Sequence, residues 1–400
     1  MSGDAMRDLE RWIPRLLAVW RQQRRSRGGG GKLRHDRHGR GGPGRGHERP
    51  LPETQLTPDE LKEVGAGVKA LSHGLTRERE LAGARYMDDP RLLGAYLLFY
   101  WPVSYAQARA TLSELPRPKA TLDLGSGPGP MAFAALDAGA SSAVAADRSK
   151  PALELAKALA AEAGEPLSTR EWAPERPLPD GQFDLITMGH VLNELYDGDI
   201  GRRAVLVEKI LERVAKGGTL LVLEPALRET SRALLQVRDV LVSHGVAVRA
   251  PCLYRGACPA LVKPSDWCHA ERTWRLPPLV DAIARAAGLH KESLKMSYLA
   301  LAPKGEGWAE PPEGAVFRIV SEALEGKGRQ RFMGCGPSGR VGLAMQDKHE
   351  TERNRLFFKL QRGDVVRVTA TEERGDGLAV SDASTVEILA NAGRPVPSRS

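Results

Sequence analysis

Cysteine is scarce in this 400-residue chain: there are four, all in the second half. So few thiols exclude a small scaffold built on disulfides and point to a reducing compartment. Long apolar runs are missing as well. The best of them, around Leu92–Val103, falls short of the roughly 20 residues that a membrane-crossing helix needs. The first residues carry Asp4, Asp8 and Glu10 and no uncharged core, which speaks against a secretory signal peptide. These absences lead to the expectation of a soluble, cytoplasmic protein with no membrane contact. The composition, 42% hydrophobic and 27% charged, is that of a folded chain. Its length suffices for a sizeable core with a smaller satellite.

A charge excess is absent from most of the sequence too. The formal charge is +8, yet residues 21–50 alone hold ten basic side chains against Asp36 and Glu48, leaving 48 of each sign elsewhere. This Arg/Gly-rich stretch, taken as a disordered arm over 23–50, has too little apolar content to bury a core. Its cations suit phosphate backbones, which reward charge without reading bases; a solvated linker is the equal alternative. Ahead of it, Met6, Leu9, Trp12, Ile13, Leu16, Leu17 and Trp20 recur at helical spacing. They predict an amphipathic helix within residues 1–22 that docks on the body of the protein.

Residues 51–118 read as a helical region, with Asp59–Leu71 behind Thr57-Pro58 and Pro90–Tyr100 opening on a proline, a residue tolerated in a helix's first turn. From 119 to 305 short apolar runs (Thr121–Leu124, Ala143–Ala146, Phe183–Met188, Thr219–Leu223) alternate with helical stretches. That alternation predicts an α/β fold with a doubly wound, mostly parallel sheet covered on both faces. The runs Val316–Val320, Val341–Met345, Phe357–Leu360 and Asp364–Ala370 predict a small β-rich unit over 315–390.

The first strand ends in Leu122-Asp-Leu-Gly125-Ser-Gly127-Pro-Gly129-Pro130. Glycines there let the backbone turn sharply against a ligand, and Pro130 opens a helix aimed at it. Asp147 ends the next strand 22 residues beyond Gly125, where an acid accepts hydrogen bonds from ribose hydroxyls in doubly wound folds. Pro130 stands where the dinucleotide fingerprint wants a small residue, which disfavours a nicotinamide enzyme. The segment instead resembles the first motif of class I S-adenosylmethionine-dependent methyltransferases. Asp180–Ile186 resembles their fourth strand and Lys216–Pro225 the entry to their fifth. The resemblance implies a seven-stranded sheet that binds S-adenosylmethionine, with Gly125, Gly127, Gly129 and Asp147 as cofactor contacts. No catalytic residue is assigned. His190 is a candidate base and Asn193 or Glu194 a candidate substrate anchor, against the plainer reading of a helix start with local hydrogen bonds.

Cys252, Cys258 and Cys268 lie in a proline- and glycine-containing insertion over 250–270, and Cys335 sits between glycines. Four thiolates suit tetrahedral zinc or an iron–sulfur cluster. The paired Cys-x-x-Cys knuckles of a zinc ribbon are absent. These cysteines, with Trp267-Cys268-His269, Leu223-Glu224-Pro225, a helix containing Arg238, Val248–Cys252 and Gln361–Asp364, resemble the methyltransferase-like proteins associated with the mitochondrial small ribosomal subunit and their bacterial relatives. A departure is Ala226-Leu227-Arg228, where such proteins often carry a Gly-Thr-Pro-type turn.

The likeness covers about residues 60–370. It implies a [4Fe-4S] cluster on Cys252, Cys258, Cys268 and Cys335, with zinc as the alternative, and a monomer that contacts small-subunit rRNA and ribosomal proteins. The expected role is in small-subunit assembly or translation. Its rivals are an active RNA methyltransferase with a purely structural metal site and a small-molecule methyltransferase.

Overall fold

The computed structural model describes residues 3–28 and 54–391. The greater part of the arm, residues 29–50, therefore lies outside the described residues. Among the described residues, four α-helices precede the sheet: α1 (Gly3–Gly28), α2 (Pro58–Ser72), α3 (Pro90–Ala95) and α4 (Trp101–Leu112). α1 runs past the expected end at residue 22 because its last turns are tied down. Arg21 pairs with Glu60 at 2.8 Å and Arg24 with Glu63 at 2.7 Å, both on α2. Glu60 also closes a capping box with Thr57 at the start of α2, satisfying two N–H groups that the helix itself leaves without partners. The apolar stripe of α1 is buried. Trp12 packs its ring 4.6 Å from that of Phe133 and donates its indole N–H to Asp137 at 2.7 Å.

The central sheet comprises β1 (Ala120–Leu124), β2 (Ser142–Asp147), β3 (Leu167–Glu171), β4 (Phe183–Gly189), β5 (Val214–Pro225), β6 (Val248–Ala250), β7 (Ala270–Thr273) and β8 (Ser293–Leu301). Its order is β3-β2-β1-β4-β5-β8-β6, with β7 pairing beside β8. β1 to β5 are mutually parallel, and β8 runs antiparallel to β5, β6 and β7. The expected seven-stranded path is present, and the short β7 makes an eighth strand. Helices α5 (Pro130–Asp137), α6 (Lys150–Ala163), α7 (Ile200–Leu211), α8 (Arg228–Ser243) and α9 (Pro278–Ala286) complete the layers.

Side chains alternate across a strand, and the core divides accordingly. Leu185, Leu221 and Leu223 join the cluster under α1 to α6 and α9. Ile186, Leu220 and Val222 join the cluster under α7 and α8.

A second sheet forms the C-terminal unit: β9 (Val316–Ile319), β10 (Leu324–Gly326), β11 (Arg329–Gly336), β12 (Gly339–Gln346), β13 (Val365–Thr369), β14 (Glu372–Arg374), β15 (Gly377–Val380) and β16 (Thr385–Ala390). It has its own core around Phe332, Phe357 and Val366. Phe357–Leu360, expected as a strand, lies instead in a 3-10 turn over Arg355–Lys359 that drives Phe357 into this core.

Candidate functional site

The glycine turn forms as its residues require. Gly125, Gly127 and Gly129 have φ of +70°, +52° and +80°, a region closed to most side chains. Gly125 is fixed by its N–H to the Ala146 carbonyl at 2.8 Å, and a Cβ there would stand 2.3 Å from Val191 Cγ2. Asp147 lies at the end of β2 with both oxygens engaged. Oδ2 accepts the Gly127 N–H at 2.8 Å and Oδ1 the Ser149 N–H at 2.7 Å. Burial raises its carboxyl above the usual range.

Gly125 and Asp147 line a cleft with Ser149, Trp172 and His190. Gly127 and Gly129 stand behind it: Met87 covers the former, and the latter opens α5 against Phe133.

Over this cleft lies a strap, residues 79–88, that motif reading missed. Arg148 donates to the carbonyls of Gly83 and Ala84 at 2.8 and 2.6 Å. Glu194 accepts the Gly83 N–H at 3.1 Å, and Ser149 donates to Asp88 at 2.9 Å. Tyr86 and Met87 thereby line the cleft. The available signal was Arg148 itself, a cation directly after Asp147.

Beyond β4, His190 takes a φ of +61° and stands 2.9 Å from Gln107 Oε1 through Nε2. Burial and nearby Lys291 lower its pKa to about 4, so it is neutral at physiological pH. Asn193 is committed at both ends of its amide. Nδ2 donates to Glu224 at 2.5 Å, and Oδ1 accepts from Arg79 at 2.8 Å. That leaves Asn193 a structural role in place of substrate anchoring. Glu194 lines the cleft, and burial lifts its carboxyl to about 7. Glu224, more deeply buried, is lifted to about 8.

The four cysteines come from separate places: beyond β6, two points in the insertion, and β11. All four line one cavity of about 80 Å³ between the edge of the central sheet and the C-terminal unit. α8 organises the insertion through two arginines. Arg238 donates to the carbonyls of Gly256 and Tyr254, and Arg232 to those of Ala260, Lys263 and Asp266. Asp239 accepts the Cys258 N–H at 2.9 Å. From the other side, Arg340 of β12 pairs with Asp266 at 2.9 Å. The departure at Ala226-Leu227-Arg228 shows in the start of α8, whose N-cap Leu227 supplies no side-chain hydrogen bond.

Arginines stand among the mostly apolar walls of this cavity, each paired with a carboxylate. Arg272, Arg318, Arg340 and Arg362 line it with His269, whose ring stacks on Trp267 at 4.2 Å. Glu114 answers two of these charges, meeting Arg272 at 2.5 Å and Arg318 at 3.1 Å and accepting from Tyr298 at 2.8 Å. The Nε groups of Arg272, Arg318 and Arg340 and Nδ1 of His269 are buried without hydrogen-bond partners. Burial, then the neighbouring Cys252, raises the Cys258 and Cys268 thiols to about 12 and 11. Such donors and thiols fit an anionic metal–thiolate centre, which would deprotonate the sulfurs and answer the open N–H groups.

Spacing narrows the fit. Zinc–sulfur bonds of about 2.3 Å put tetrahedral sulfurs about 3.8 Å apart. Among the described residues no three cysteine sulfurs lie within 4.8 Å of one another; the group found at that spacing is the exposed His73, Glu78 and Glu80.

Residues 93–378 match the profile of the family described as mitochondrial small ribosomal subunit Rsm22. The chain belongs to this Rsm22 family. The match runs from α3 through the cysteine cavity to β15 and leaves out α1 and the arm. No curated protein matches the sequence.

Among solved structures, the N-methyltransferase NodS from Bradyrhizobium japonicum, with bound S-adenosylhomocysteine, is 14% identical with a TM-score of 0.35, covering 60% of this chain and 98% of NodS. A SAM-dependent methyltransferase from Leishmania major is 18% identical with a TM-score of 0.34, covering 61% and 85%. The ribosomal protein L11 methylase of Lactobacillus delbrueckii is 16% identical with a TM-score of 0.31, covering 51% and 78%. The methyltransferase-type architecture of this Rsm22 family member is read from its own strand order.

Proposed function

We propose that this protein is a small-ribosomal-subunit-associated, methyltransferase-like protein. In this reading it holds S-adenosylmethionine in the cleft under the strap and a [4Fe-4S] cluster in the cysteine cavity, and it assists rRNA handling during assembly or translation. One observation carries the cluster reading: Cys252, Cys258, Cys268 and Cys335, remote in sequence, line a single cavity at the junction of the two lobes. Bound there, the cluster supplies a covalent tie between lobes, so its binding free energy adds to their docking. Gly125 and Asp147 would meet the cofactor, with Arg148 holding the strap closed over it.

Anaerobic purification with iron and sulfide analysis tests this reading, and sequencing of co-purifying RNA tests the ribosomal assignment. The expected result is about four irons and four sulfides per chain with a visible absorbance band, lost in Cys→Ser variants at 252, 258, 268 or 335. It is also expected that small-subunit rRNA is enriched. Iron-free protein that still co-sediments with small subunits as the wild type does would overturn the cluster reading. Labelled-methyl transfer onto purified small-subunit rRNA distinguishes the active-enzyme alternative. Nothing in the acceptor region favours it, because Asn193 is spent on Glu224 and Arg79.

A further inference from the structure

On the far side of the strap from the cofactor cleft lies a second, open cavity of about 860 Å³. The two cavities share Glu194 as a wall. Arg79 from the strap, Arg203 from α7, and Arg228 and Arg232 from α8 all line it. None of the four has a carboxylate within ion-pair distance among the described residues.

Three are held instead by neutral partners. Arg79 donates to Asn193 at 2.8 Å, Arg203 to the Leu195 and Asn193 carbonyls at 3.0 and 2.9 Å, and Arg232 to carbonyls of the insertion. Among the described residues none forms an ion pair, although Glu224 and Asp199 stand near Arg203 and Glu194 near Arg79, and their fixed positions lower the ordering cost of binding an anion. Arg203 is 5% exposed, and Nη1 of Arg79 is buried with no hydrogen-bond partner.

The acids on the rim compensate little. Asp197 and Glu229 are exposed, where water and salt screen them, and Glu194 already accepts from Gly83. The first turn of α8 adds its own backbone donors, since Leu227 caps none of them and the helix bonds begin with the Ser231 N–H to Leu227.

We propose that this cavity is a phosphate site that seats the backbone of a single RNA strand beside the cofactor cleft. The inference rests on the reading of the protein as RNA-associated and adds the place of contact. Guanidinium groups match phosphate in a two-pronged way, and a row of them along an open groove tracks a strand without reading its bases. In this proposal the basic residues beyond α1 would add diffuse attraction, and the cavity supplies fixed geometry.

The test uses the full chain and a fluorescein-labelled single-stranded RNA across a salt series. Arg228→Gln is the informative variant, because Arg228 is exposed and makes no hydrogen bond or ion pair among the described residues, so its replacement leaves the fold alone. Removing one cation from a phosphate lowers the slope of log K against log salt by about 0.7. The expected decrease is about 0.7 for Arg228→Gln and about twice that with Arg79→Gln added, for every RNA sequence alike. Cross-links from thiouridine-containing RNA are expected on peptides covering 193–203 and 228–236.

Unchanged affinity and slope, or cross-links confined to residues 21–50, would overturn the proposal while leaving RNA association standing. Wild-type protein that binds no RNA would remove both readings. Equal displacement of the RNA by a polyglutamate peptide of matching charge would overturn it in favour of an acidic protein partner.

Discussion

Asp123 shows how one residue can be written into a motif for a structural reason. It precedes the glycine turn, is 1% exposed, and ties three elements together. Oδ1 accepts from Thr187 on β4 at 2.7 Å, and Oδ2 accepts the Ala132 N–H in the first turn of α5 at 3.2 Å. Burial raises its pKa to about 7, above its value in an unfolded chain. The folded state therefore binds the extra proton, and the associated stability is full below about pH 4 and lost as pH rises through 7. Asn in its place keeps the shape and never ionises: its oxygen accepts from Ala132 and its amide donates to the Thr187 hydroxyl. Asp123→Asn should melt close to wild type near pH 3.5 and clearly above it at pH 8, with a ceiling of about 4 kcal/mol from the pKa difference. Thermal unfolding at the two pH values checks this; a constant offset would show that Asp123 ionises freely in the fold.

Elements were legible where burial imposed a pattern, and lost where it did not. β1, β2, β4 and β5 are buried on both faces and stand out as apolar runs, and the glycine turn between β1 and α5 is marked by three residues of positive φ. β3 is the outer strand, mostly exposed, and its Ser168-Thr-Arg-Glu171 carries no apolar signal. Phe357 and Phe358 suggested a strand, yet a single turn of 3-10 helix buries Phe357 just as well. The strap was invisible for a different reason, because its order comes from contacts with residues far along the chain.

That distance makes it testable. Arg148 is the strap's main fastening, with two carbonyls on one Nη2. Arg148→Ala should leave the folded body intact and raise the dissociation rate of S-adenosylmethionine several-fold, since Arg148 is exposed and its bonds lie at the low end of the about 0.5–1.5 kcal/mol that a hydrogen bond contributes in water. Stopped-flow release of the cofactor reads it. An unchanged rate would mean that the strap does not gate the cleft.

At the scale of the whole molecule, two lobes with separate cores meet at a junction where Leu253 of the insertion packs on Val316, Val365 and Ala390. The four cysteines singled out by the sequence line a cavity at this junction, and a fastening that no motif marks lies beside them. Glu114, at the end of the N-terminal helices, binds Arg272 of β7, Tyr298 of β8 and Arg318 of β9 at once. Glu114 offers no motif; its role exists only once three remote arms surround it. A buried carboxylate between two guanidiniums adds little net stability over an apolar contact but penalises any arrangement that separates them. It therefore fixes where the C-terminal unit sits, while a metal centre would fix how firmly.

The two roles separate by experiment. Cys335→Ser in the anaerobically prepared protein should speed hydrogen exchange across β11 and β12, which carry that thiol and Arg340, and leave β1 and β2 as protected as in wild type. If the proposed cluster is bound, chelating its iron should reproduce the same map. Glu114→Gln, by contrast, should loosen β9 and β7 together even with iron bound, because both arginines lose their counter-charge. If Cys335→Ser left β11 and β12 fully protected, the C-terminal unit would be held by Glu114 and its arginines alone, and a metal at the junction would have no mechanical part to play.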